Sequence, residues 1–473
     1  MKLTYNVQDK PKFGQLILFG LQQLLAILAA TIAVPSIIGN GMSQSAALFG
    51  AGVGTIVYLL FTKFRSPVFL GSSFAFIGSM FAAFGGAVSA QAGHAGLIIG
   101  AFFAGLVYVV IAIAVKFAGV KWIDKLMPAV VIGPTVSIIG LSLAGNAVGD
   151  LTVGKVMQEV TTQVIENGAI VDSTSLVSSA SPYVALICGL VTLFTVVLCS
   201  VYGKKMAKLI PFIIGICAGY VTATIFTVIG TATNNPALQV IDFTVFHNMN
   251  WFAIPDFTFL EAAKGIKEIN GQFIATVAVA YIPVAFVVFA EHIADHKNLS
   301  SVIEKDLLKE PGLHKTLLGD GVGSMVGAIF GGCPNTTYGE SVGCVAITGN
   351  ASVVTIVTTA IMAIVISFFG PFVTFLASIP NCVMGGVCIT LYGFIAVSGL
   401  KMIQEVDLGE NKNLFVVAVI LICGIGGLTI NFGKVTITSI ACALILGIVT
   451  NLLVSKAKDE EPAKEVKENA KAK

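Results

Sequence analysis

The chain has 473 residues, of which 56% are hydrophobic and 11% are charged, and its mean hydropathy is +0.92. Because soluble domains carry about 25% charged residues, this composition excludes a soluble enzyme of this length. The formal net charge is only +2. The sequence has no basic stripe with interleaved aromatic residues, so we expect no nucleic-acid partner. The partner that the composition predicts is the lipid bilayer.

The nine cysteines all fall in or beside apolar segments, and no two of them are spaced as CxxC. This pattern is typical of small buried hydrophobic residues rather than of metal ligands or a disulfide framework. We therefore expect no metal and no bound cofactor.

Apolar segments follow one another along the whole chain, and a transmembrane helix needs roughly 20 such residues. The first segment is too long for a signal peptide and is not closed by a small-residue cleavage site, so we predict that it is an uncleaved span. The third and the tenth are interrupted by Gly, Ser, Pro and Asn and are the weakest as helices. The fourteen predicted spans are 14–38, 45–62, 66–86, 94–118, 127–148, 183–203, 208–231, 271–294, 316–331, 333–348, 352–371, 373–400, 413–430 and 435–455.

Positive charges are distributed unevenly about these spans. If the N-terminus is cytoplasmic and the spans alternate, 23 of the 27 Lys and Arg residues lie inside, and only Lys155, Lys264, Lys267 and Lys434 lie outside. This bias follows the positive-inside rule, and it predicts an even number of spans with both termini in the cytoplasm. The tail 456–473 has mixed charge and few apolar residues, so we predict that it is disordered.

Two sequence patterns recur in the same order in the two halves of the chain. Residues 50–57 (Gly-Ala-Gly-Val-Gly-Thr-Ile-Val) resemble residues 319–326 (Gly-Asp-Gly-Val-Gly-Ser-Met-Val), and 127–133 resembles 379–385, each with a Pro five residues before a Gly. Spans one to seven are therefore predicted to be related to spans eight to fourteen. Because seven is odd, the halves insert with opposite orientation, as in secondary transporters. The predicted fold is an all-α integral membrane protein with 14 transmembrane segments in a 7+7 inverted repeat.

The unusual segments of the two halves stand in corresponding positions. They are residues 71–76 (Gly-Ser-Ser-Phe-Ala-Phe) in span three and 334–341 (Pro-Asn-Thr-Thr-Tyr-Gly-Glu-Ser) in span ten. Neither sequence favours a helix, and irregular backbone at membrane depth is tolerated only where it is buried in protein or lines a cavity. Half-helices that begin after such breaks point their free N–H groups at a ligand. A packing kink is the alternative interpretation.

Two carboxylates are candidates for ligand binding. Glu340 lies in the span-ten break, and Glu291 follows the apolar run 273–290. An ionisable side chain inside the membrane indicates function by default, although Glu291 could also cap the cytoplasmic end of its span. Carboxylates, together with backbone N–H and C=O groups that have no helical partner, suit a planar ring with N–H donors and C=O acceptors. Phe74 could flank that ring. This chemistry fits uracil, xanthine and other planar amides equally.

The residues around Glu291 suggest an ion-coupling element. On a helix, Glu291 and Asp295 share one face, and His292 and His296 share another. A metal site on the two histidines would lack a third ligand, so we expect none. Asp320 in span nine is a further buried acid, for which we expect a bond only to backbone or to a serine.

Three motifs, in order, resemble those of the nucleobase–ascorbate transporter family, also called nucleobase:cation symporters. They are 71–76, the Ala-Glu-His at 290–292, and the Pro-Asn-Thr-Thr-Tyr-Gly-Glu-Ser-Val-Gly signature at 334–343. The likeness covers nearly the whole chain, including the loop at 305–314, and it is nearest to the branch of bacterial uracil permeases.

The resemblance implies how the chain is organised. Short antiparallel β-strands would lie in spans three and ten, a homodimer would form through the gate domains, and the protein would lie in the bacterial inner membrane. The implied divisions are a cytoplasmic N-terminus (1–13), a core domain in two halves (14–126 and 271–371), a gate domain in two halves (127–231 and 373–455) and a cytoplasmic tail (456–473).

The resemblance also implies a site and an activity. Glu291, at mid-membrane, and Glu340 would hold the polar edge of a nucleobase, with the backbone of Phe74, Gly339 and Glu340 completing the site and Tyr338 nearby. The implied activity is uracil import by proton symport through alternating access. Purine transport, of a xanthine type, and coupling to Na⁺ are the alternatives. Two carboxylates at the site argue against an anion exchanger or channel, and without an HExxH sequence we do not expect an intramembrane enzyme.

The chain departs from the family pattern at three places. Gln23 stands where the family often has a histidine, and we expect it to bond the hydroxyl of Tyr392. Ser341 replaces the usual asparagine, and Asp295 replaces a histidine that uracil permeases often have, with His296 beside it. These changes leave the coupling ion open between H⁺ and Na⁺, with Glu291, Asp295, His296 and Ser341 as its candidate carriers.

Overall fold

The computed structural model describes residues 3–119, 122, 127–166, 169–204, 206–247, 249–432 and 435–455. The tail 456–473, which we predicted to be disordered, lies outside the described residues. Helices dominate what is described, and most carry continuous apolar sequence. The α-helices are α1 (Phe13–Ile38), α2 (Gln44–Phe61), α3 (Ile77–Gly86), α4 (Ala90–Ala118), α5 (Ala129–Ser142), α6 (Ala144–Asp150), α7 (Pro182–Tyr202), α8 (Met206–Leu209), α9 (Pro211–Ala232), α10 (Thr258–Gly265), α11 (Gly271–Ile303), α12 (Leu313–Gly331), α13 (Gly339–Thr348), α14 (Val353–Ile366), α15 (Gly370–Ser378), α16 (Asn381–Ile403), α17 (Asn411–Ile425) and α18 (Ser439–Val454).

Short strands and tighter turns complete the secondary structure. The strands form three antiparallel pairs, β1 with β4, β2 with β3 and β5 with β6. Their bounds are β1 (Leu70–Ser72), β2 (Met157–Glu166), β3 (Ala169–Ser178), β4 (Asn335–Thr337), β5 (Ile430–Phe432) and β6 (Val435–Ile437). Tight 3-10 turns lie at Phe74–Phe76, Pro236–Leu238, Phe243–Phe246 and Ile266–Glu268, and a wider π-helical turn lies at Leu308–Gly312.

Within the described residues, eight helical segments are long and apolar enough to cross a membrane by length and composition. They are α1, α2, α4, the combined α5 and α6, α7, α9, α11 and α16. Shorter apolar helices occur at α14, α17 and α18, and at the segment that ends in α3. The prediction of a mostly helical protein that passes through the membrane several times is therefore confirmed.

Two predicted spans have different bounds in the structure. The segment 373–400, which we predicted as one span, contains two helices, because the chain is extended at Ile379 and Pro380 between α15 and α16. Proline disfavours helical backbone in the residue before it and lacks an N–H for the helix ladder. Span eight is longer than predicted, since α11 continues to Ile303. Glu291 therefore lies within this helix, and the alternative in which it caps the helix end is wrong.

Strands β1 and β4 meet at the centre of the helices. Leu70 lies opposite Thr337 and Ser72 lies opposite Asn335. The pairing continues beyond the strands, because the N–H of Ser73 donates to the carbonyl of Pro334 at 2.9 Å. Backbone N–H and C=O groups of each strand are paired with those of the other. A non-helical segment inside a membrane needs such pairing, because no water is present there to bond these groups.

Close helix contacts depend on the glycines of the repeated patterns. A Cβ on Gly50 would lie 2.4 Å from the carbonyl oxygen of Gly327, and one on Gly54 would lie 2.7 Å from that of Gly323. The two copies of the first pattern, in α2 and α12, thus pack directly against each other. A Cβ on Gly399 of α16 would likewise lie 2.4 Å from a carbonyl oxygen of α5. Small residues let these helix backbones approach closely, which is the usual basis of packing in membranes.

Candidate substrate cavity

A cavity of about 390 Å³ lies beside the paired strands β1 and β4. It is bounded on one side by the strands, α11 and the start of α13, and on the other side by α5, α9 and α16. Its lining residues are Ser73, Phe74, Ala75, Val136, Phe212, Glu291, Ala294, Asp295, Thr336, Thr337, Tyr338, Gly339, Glu340, Leu391, Phe394, Ile395, Ser398 and Met402.

The structure brings the five predicted substrate residues to this one cavity. Phe74, Glu291, Tyr338, Gly339 and Glu340 all belong to its lining. They come from three segments that are far apart in the sequence. The β1–β4 pairing places two of them side by side, and the bond from Thr337 to Asp295 joins β4 to the third, α11. Their role in binding stays a prediction.

Each strand is followed by a helical turn that lies at the cavity. The chain passes from β1 through the tight turn at Phe74–Phe76 into α3, and from β4 into α13, whose first two residues are Gly339 and Glu340. The first N–H groups of a helix have no partners within it, and the helix dipole is positive there. The cavity is therefore supplied with backbone donors from α13, beside the carboxylate of Glu340.

Three carboxylates face this cavity. Glu291 and Asp295 lie one turn apart on α11 and are half-buried, and Glu340 enters from α13. The hydroxyl of Thr337 donates to Asp295 Oδ2 at 2.7 Å, which joins α11 to β4. The described residues that line the cavity include no Lys, Arg or His. No basic side chain in this described lining offsets the acids.

The two histidines of α11 point away from the cavity. The rings of His292 and His296 stack with their centroids 4.0 Å apart, and both residues are fully buried. His296 Nδ1 donates to the carbonyl of His292 at 2.8 Å, and its Nε2 is 2.8 Å from the Tyr58 hydroxyl. Both nitrogens of His296 thus have partners inside the protein. His296, a predicted coupling residue, therefore does not line the cavity that Asp295 lines.

Asp320 has a different partner from the one we expected. Its Oδ2 lies 2.7 Å from His292 Nδ1, and no serine or backbone bond replaces this contact. The expectation of a backbone or serine partner is therefore wrong. Since Asp320 on α12 and His292 on α11 come from separate helices, only their packing shows that they form a pair.

Gln23 also bonds to a residue that the sequence did not suggest. Its amide donates to the hydroxyl of Ser341, and the same hydroxyl accepts from the backbone N–H of Phe69 at 3.2 Å. The predicted bond from Gln23 to Tyr392 is wrong. Tyr392 instead packs edge-on against Phe74, with ring centroids 5.9 Å apart. Two of the departures from the family pattern, Gln23 and Ser341, are therefore direct partners.

Residues 339–343 (Gly-Glu-Ser-Val-Gly) also have the Gly-x-Ser-x-Gly spacing of a hydrolase nucleophile. Ser341 is fully buried, and its hydroxyl contacts Gln23 and the backbone of Phe69 rather than a histidine. A serine nucleophile needs an exposed hydroxyl and an adjacent base. The site is therefore not a hydrolase site. In the described part of the chain, no group of three or more His, Cys, Asp or Glu residues could hold a metal ion.

Sequence reasoning missed the apolar wall of the cavity. It consists of side chains of α5, α9 and α16, and Ser398 is its one hydroxyl among the described lining residues. Nothing in the sequence distinguishes these residues from apolar residues that face lipid, because both kinds occur at helical spacing in membrane spans. The wall is formed by Val136, Phe212, Leu391, Phe394, Ile395, Ser398 and Met402.

Two solved structures have a similar fold at low sequence identity. One is the transmembrane domain of BicA, a cyanobacterial bicarbonate transporter, with a TM-score of 0.57 and 16% identity over 94% of this chain and all of that one. The other is murine Slc26a9, an anion transporter in the inward-facing state, with a TM-score of 0.62 and 13% identity over 95% of this chain and 69% of that one. Together with the helices and the central broken segments, these likenesses define the fold of a multi-pass membrane protein.

Sequence comparisons identify the family. Residues 14–433 match the Xan_ur_permease family model, described as Permease family. Uracil permeases of Bacillus caldolyticus and Bacillus subtilis are 38% and 35% identical, over 96% and 97% of this chain and 95% and 97% of theirs. Uracil permease of Escherichia coli K12 is 32% identical over 96% of both chains. The chain belongs to the nucleobase–ascorbate transporter family of permeases, which confirms the resemblance and the prediction of a transporter rather than an enzyme.

Proposed function

We propose that this protein imports uracil across the bacterial inner membrane, together with protons, by alternating access. The observation that carries the proposal is the convergence of Glu291, Glu340 and the start of α13 on one cavity. Family members named uracil permeases, at 32–38% identity over nearly the whole chain, support uracil as the substrate.

The cavity matches the hydrogen-bonding pattern of uracil. The ring has two N–H donors and two carbonyl acceptors around its edge and flat apolar faces. The carboxylates of Glu291 and Glu340 would accept from the ring N–H groups, and free backbone N–H groups at Gly339 and Glu340 would donate to a carbonyl. Phe74 would lie along the ring face. A site with several buried polar groups rejects analogues that leave those groups unpaired.

The three acids of the cavity support the proposal of proton coupling. Uracil is neutral, so its binding does not balance the charge of Glu291, Asp295 and Glu340. A proton taken up by Glu291 or Asp295 would reduce their mutual repulsion and would be released when the cavity opens to the cytoplasm. Coupling to Na⁺ is the second candidate, because Asp295 and the Thr337 hydroxyl form an oxygen pair that suits a hard cation.

The transport cycle that we propose uses two moving units. The core domain comprises residues 14–126 and 271–371, and the gate domain comprises residues 127–231 and 373–455. The contact of the repeated glycine patterns, α2 with α12 and α5 with α16, supports fourteen segments in a 7+7 inverted repeat. Motion of the core against the apolar wall would expose the cavity to each side in turn. We further propose cytoplasmic termini and a homodimer that forms through the gate domains.

Equilibrium binding to the purified protein tests the substrate. Radiolabelled uracil should bind, unlabelled uracil should displace it, and xanthine should displace it only at far higher concentration. Displacement by xanthine at the same concentration as uracil would overturn the pyrimidine assignment in favour of a purine or mixed permease.

A further inference from the structure

A second, much smaller cavity lies in the core domain. Its volume is about 10 Å³, and it is enclosed by residues of α4, α11, α12 and β4 together with Phe76. It shares no lining residue with the substrate cavity. Its polar lining comes from Tyr108, Asp320, Ser324 and Asn335. Asn335 belongs to β4, so the small cavity touches the strand whose next residue, Thr336, lines the substrate cavity.

Two buried polar atoms of this lining have no direct hydrogen-bond partner among the described residues. They are Asp320 Oδ1 and the Tyr108 hydroxyl. The residues are 1% and 4% exposed. The Tyr108 hydroxyl also lies near the hydroxyl of Thr336, which lines the substrate cavity instead. Buried polar groups in folded proteins are nearly always paired, with protein or with water, because an unpaired one costs stability. Two such atoms on one small cavity therefore indicate a shared ligand.

The net charge of the neighbouring His292–Asp320 pair decides whether a water molecule or a cation fits this cavity. The Thr316 hydroxyl donates its single proton to the carbonyl of Leu313 at 3.0 Å, and it also lies 2.9 Å from His292 Nε2. It must accept in the second contact, so His292 carries a proton on Nε2. His292 Nδ1 and Asp320 Oδ2, 2.7 Å apart, then share a further proton. Wherever that proton resides, the pair carries no net charge and needs no bound cation.

We propose that this cavity binds one ordered water molecule. The water accepts from the Tyr108 hydroxyl and donates to Asp320 Oδ1 and to the hydroxyl of Ser324, which also accepts from the backbone N–H of Asn335 in β4 at 3.0 Å. A single water needs about 10–15 Å³ of this kind of space and usually makes about three hydrogen bonds. The cavity supplies both. The bridge joins α4 and α12 to strand β4, directly beside the residues that line the substrate cavity.

The bridge makes Tyr108 and Asp320 positioning residues for the substrate site. This consequence rests on the proposed function, whereas the water site itself does not. With the water in place, β4 is held against α4 and α12 through Ser324 and its bond to Asn335. Without it, the strand that sets the position of Tyr338, Gly339 and Glu340 loses a fixed contact. Uracil affinity should therefore depend on a hydroxyl that does not touch uracil.

Two Tyr→Phe substitutions in the full-length protein give a matched test. Tyr108→Phe removes a proposed partner of the water. Tyr281→Phe removes another fully buried hydroxyl without a direct partner, and Tyr281 does not line the small cavity. Without substrate, Tyr108→Phe should lower the melting temperature by roughly 1–3 °C through one lost hydrogen bond, and Tyr281→Phe should not lower it. Equal melting temperatures for the two variants would overturn the proposal.

The melting temperature of the wild type in matched Na⁺, K⁺ and choline salts separates water from a cation. The water proposal predicts the same value in all three. Stabilisation by Na⁺ alone, lost in Tyr108→Phe, would replace the water by a sodium ion and overturn the proposal. A high-resolution cryo-EM map of the wild type checks the site even if a variant fails to fold. It should show one rounded density within hydrogen-bond distance of Asp320 Oδ1 and the Tyr108 hydroxyl, and no density there would refute the site.

Uracil binding then tests the positioning role. Tyr108→Phe should raise the Kd for uracil about threefold to tenfold, and Tyr281→Phe should leave it unchanged. A Kd that is unchanged in Tyr108→Phe would remove the positioning role. If the wild type itself fails to bind uracil, the proposed function is wrong, while the melting temperatures and the density still decide the water site.

Discussion

The two walls of the substrate cavity differ in composition and in backbone. The core-domain wall contains three acids, two strands and the start of α13, whereas the wall from α5, α9 and α16 is apolar apart from Ser398 among the described residues. The core wall is fixed by many polar contacts, including the bonds of Thr337 to Asp295 and of Tyr338 to the carbonyl of Ser72 at 2.8 Å. Among the described residues, the apolar wall makes no comparable polar contact with the core residues of the site. This contrast supports the proposal that one wall recognises the substrate, while the other slides past it without breaking hydrogen bonds.

Glu340→Gln removes a carboxylate from the polar wall, and we expect it to have the largest effect on affinity. The substitution keeps the shape but removes a charged acceptor, and hydrogen bonds to charged groups contribute about 1.5–3 kcal/mol. The Kd for uracil should rise roughly 10- to 100-fold with little change in melting temperature. Glu405→Gln, at an exposed residue just beyond α16, is the control. A Glu340→Gln protein that folds and binds normally would contradict the site assignment.

Asp295→Asn separates coupling from recognition. Because Asp295 faces the cavity beside Glu291 but is not a proposed uracil contact, the variant should retain most uracil binding and counterflow exchange. It should lose accumulation driven by a proton gradient, since an amide cannot carry the proton. Binding and exchange are measured in proteoliposomes with and without the gradient. If accumulation persisted at the wild-type level, the coupling role would pass to Glu291.

Gln23→Met tests how firmly the core wall is held. The substitution removes the donor to Ser341, the residue after Glu340, and leaves a buried hydroxyl with one fewer partner. We expect a threefold to tenfold higher Kd for uracil and a modest loss of stability, since one buried hydrogen bond contributes about 1 kcal/mol. The neighbouring half-buried Gln22, whose amide contacts Met206 instead, provides the control Gln22→Met. Equal effects of the two substitutions would show that Gln23 has no special role.

Ser398→Ala, in the apolar wall, should have the smallest effect. If this wall contributes surface rather than hydrogen bonds to uracil, the Kd should change less than about twofold. A tenfold loss of binding, comparable to that of Glu340→Gln, would mean that the apolar wall also recognises the ring, and the contrast between the two walls would not hold.

The same contrast explains what the sequence predicted and what it did not. Carboxylates and helix breakers are rare in apolar spans, so Phe74, Glu291 and Glu340 could be singled out, and the structure places them at one cavity. Partners such as Gln23 with Ser341, or His292 with Asp320, join helices that are far apart in the sequence, and only packing reveals them. The apolar wall was missed because its residues resemble those that face lipid.

The break between α15 and α16 was missed for a related reason. Its residues, Ser378 to Asn381, interrupt an apolar stretch only briefly, and apolar length was the main signal for a span. The repeated pattern at 379–385 contained the relevant proline, which ends one helix and begins the next. The local rule for proline was the more reliable guide at this position.

Gradient-driven uptake into liposomes is the decisive test of uracil–proton symport. Purified protein in liposomes is given radiolabelled uracil with an imposed proton gradient, with an imposed Na⁺ gradient, or with neither. We predict accumulation above equilibrium only with the proton gradient, and its loss in Glu340→Gln. Accumulation with the Na⁺ gradient alone would contradict proton coupling, and transport of xanthine without any transport of uracil would contradict the substrate.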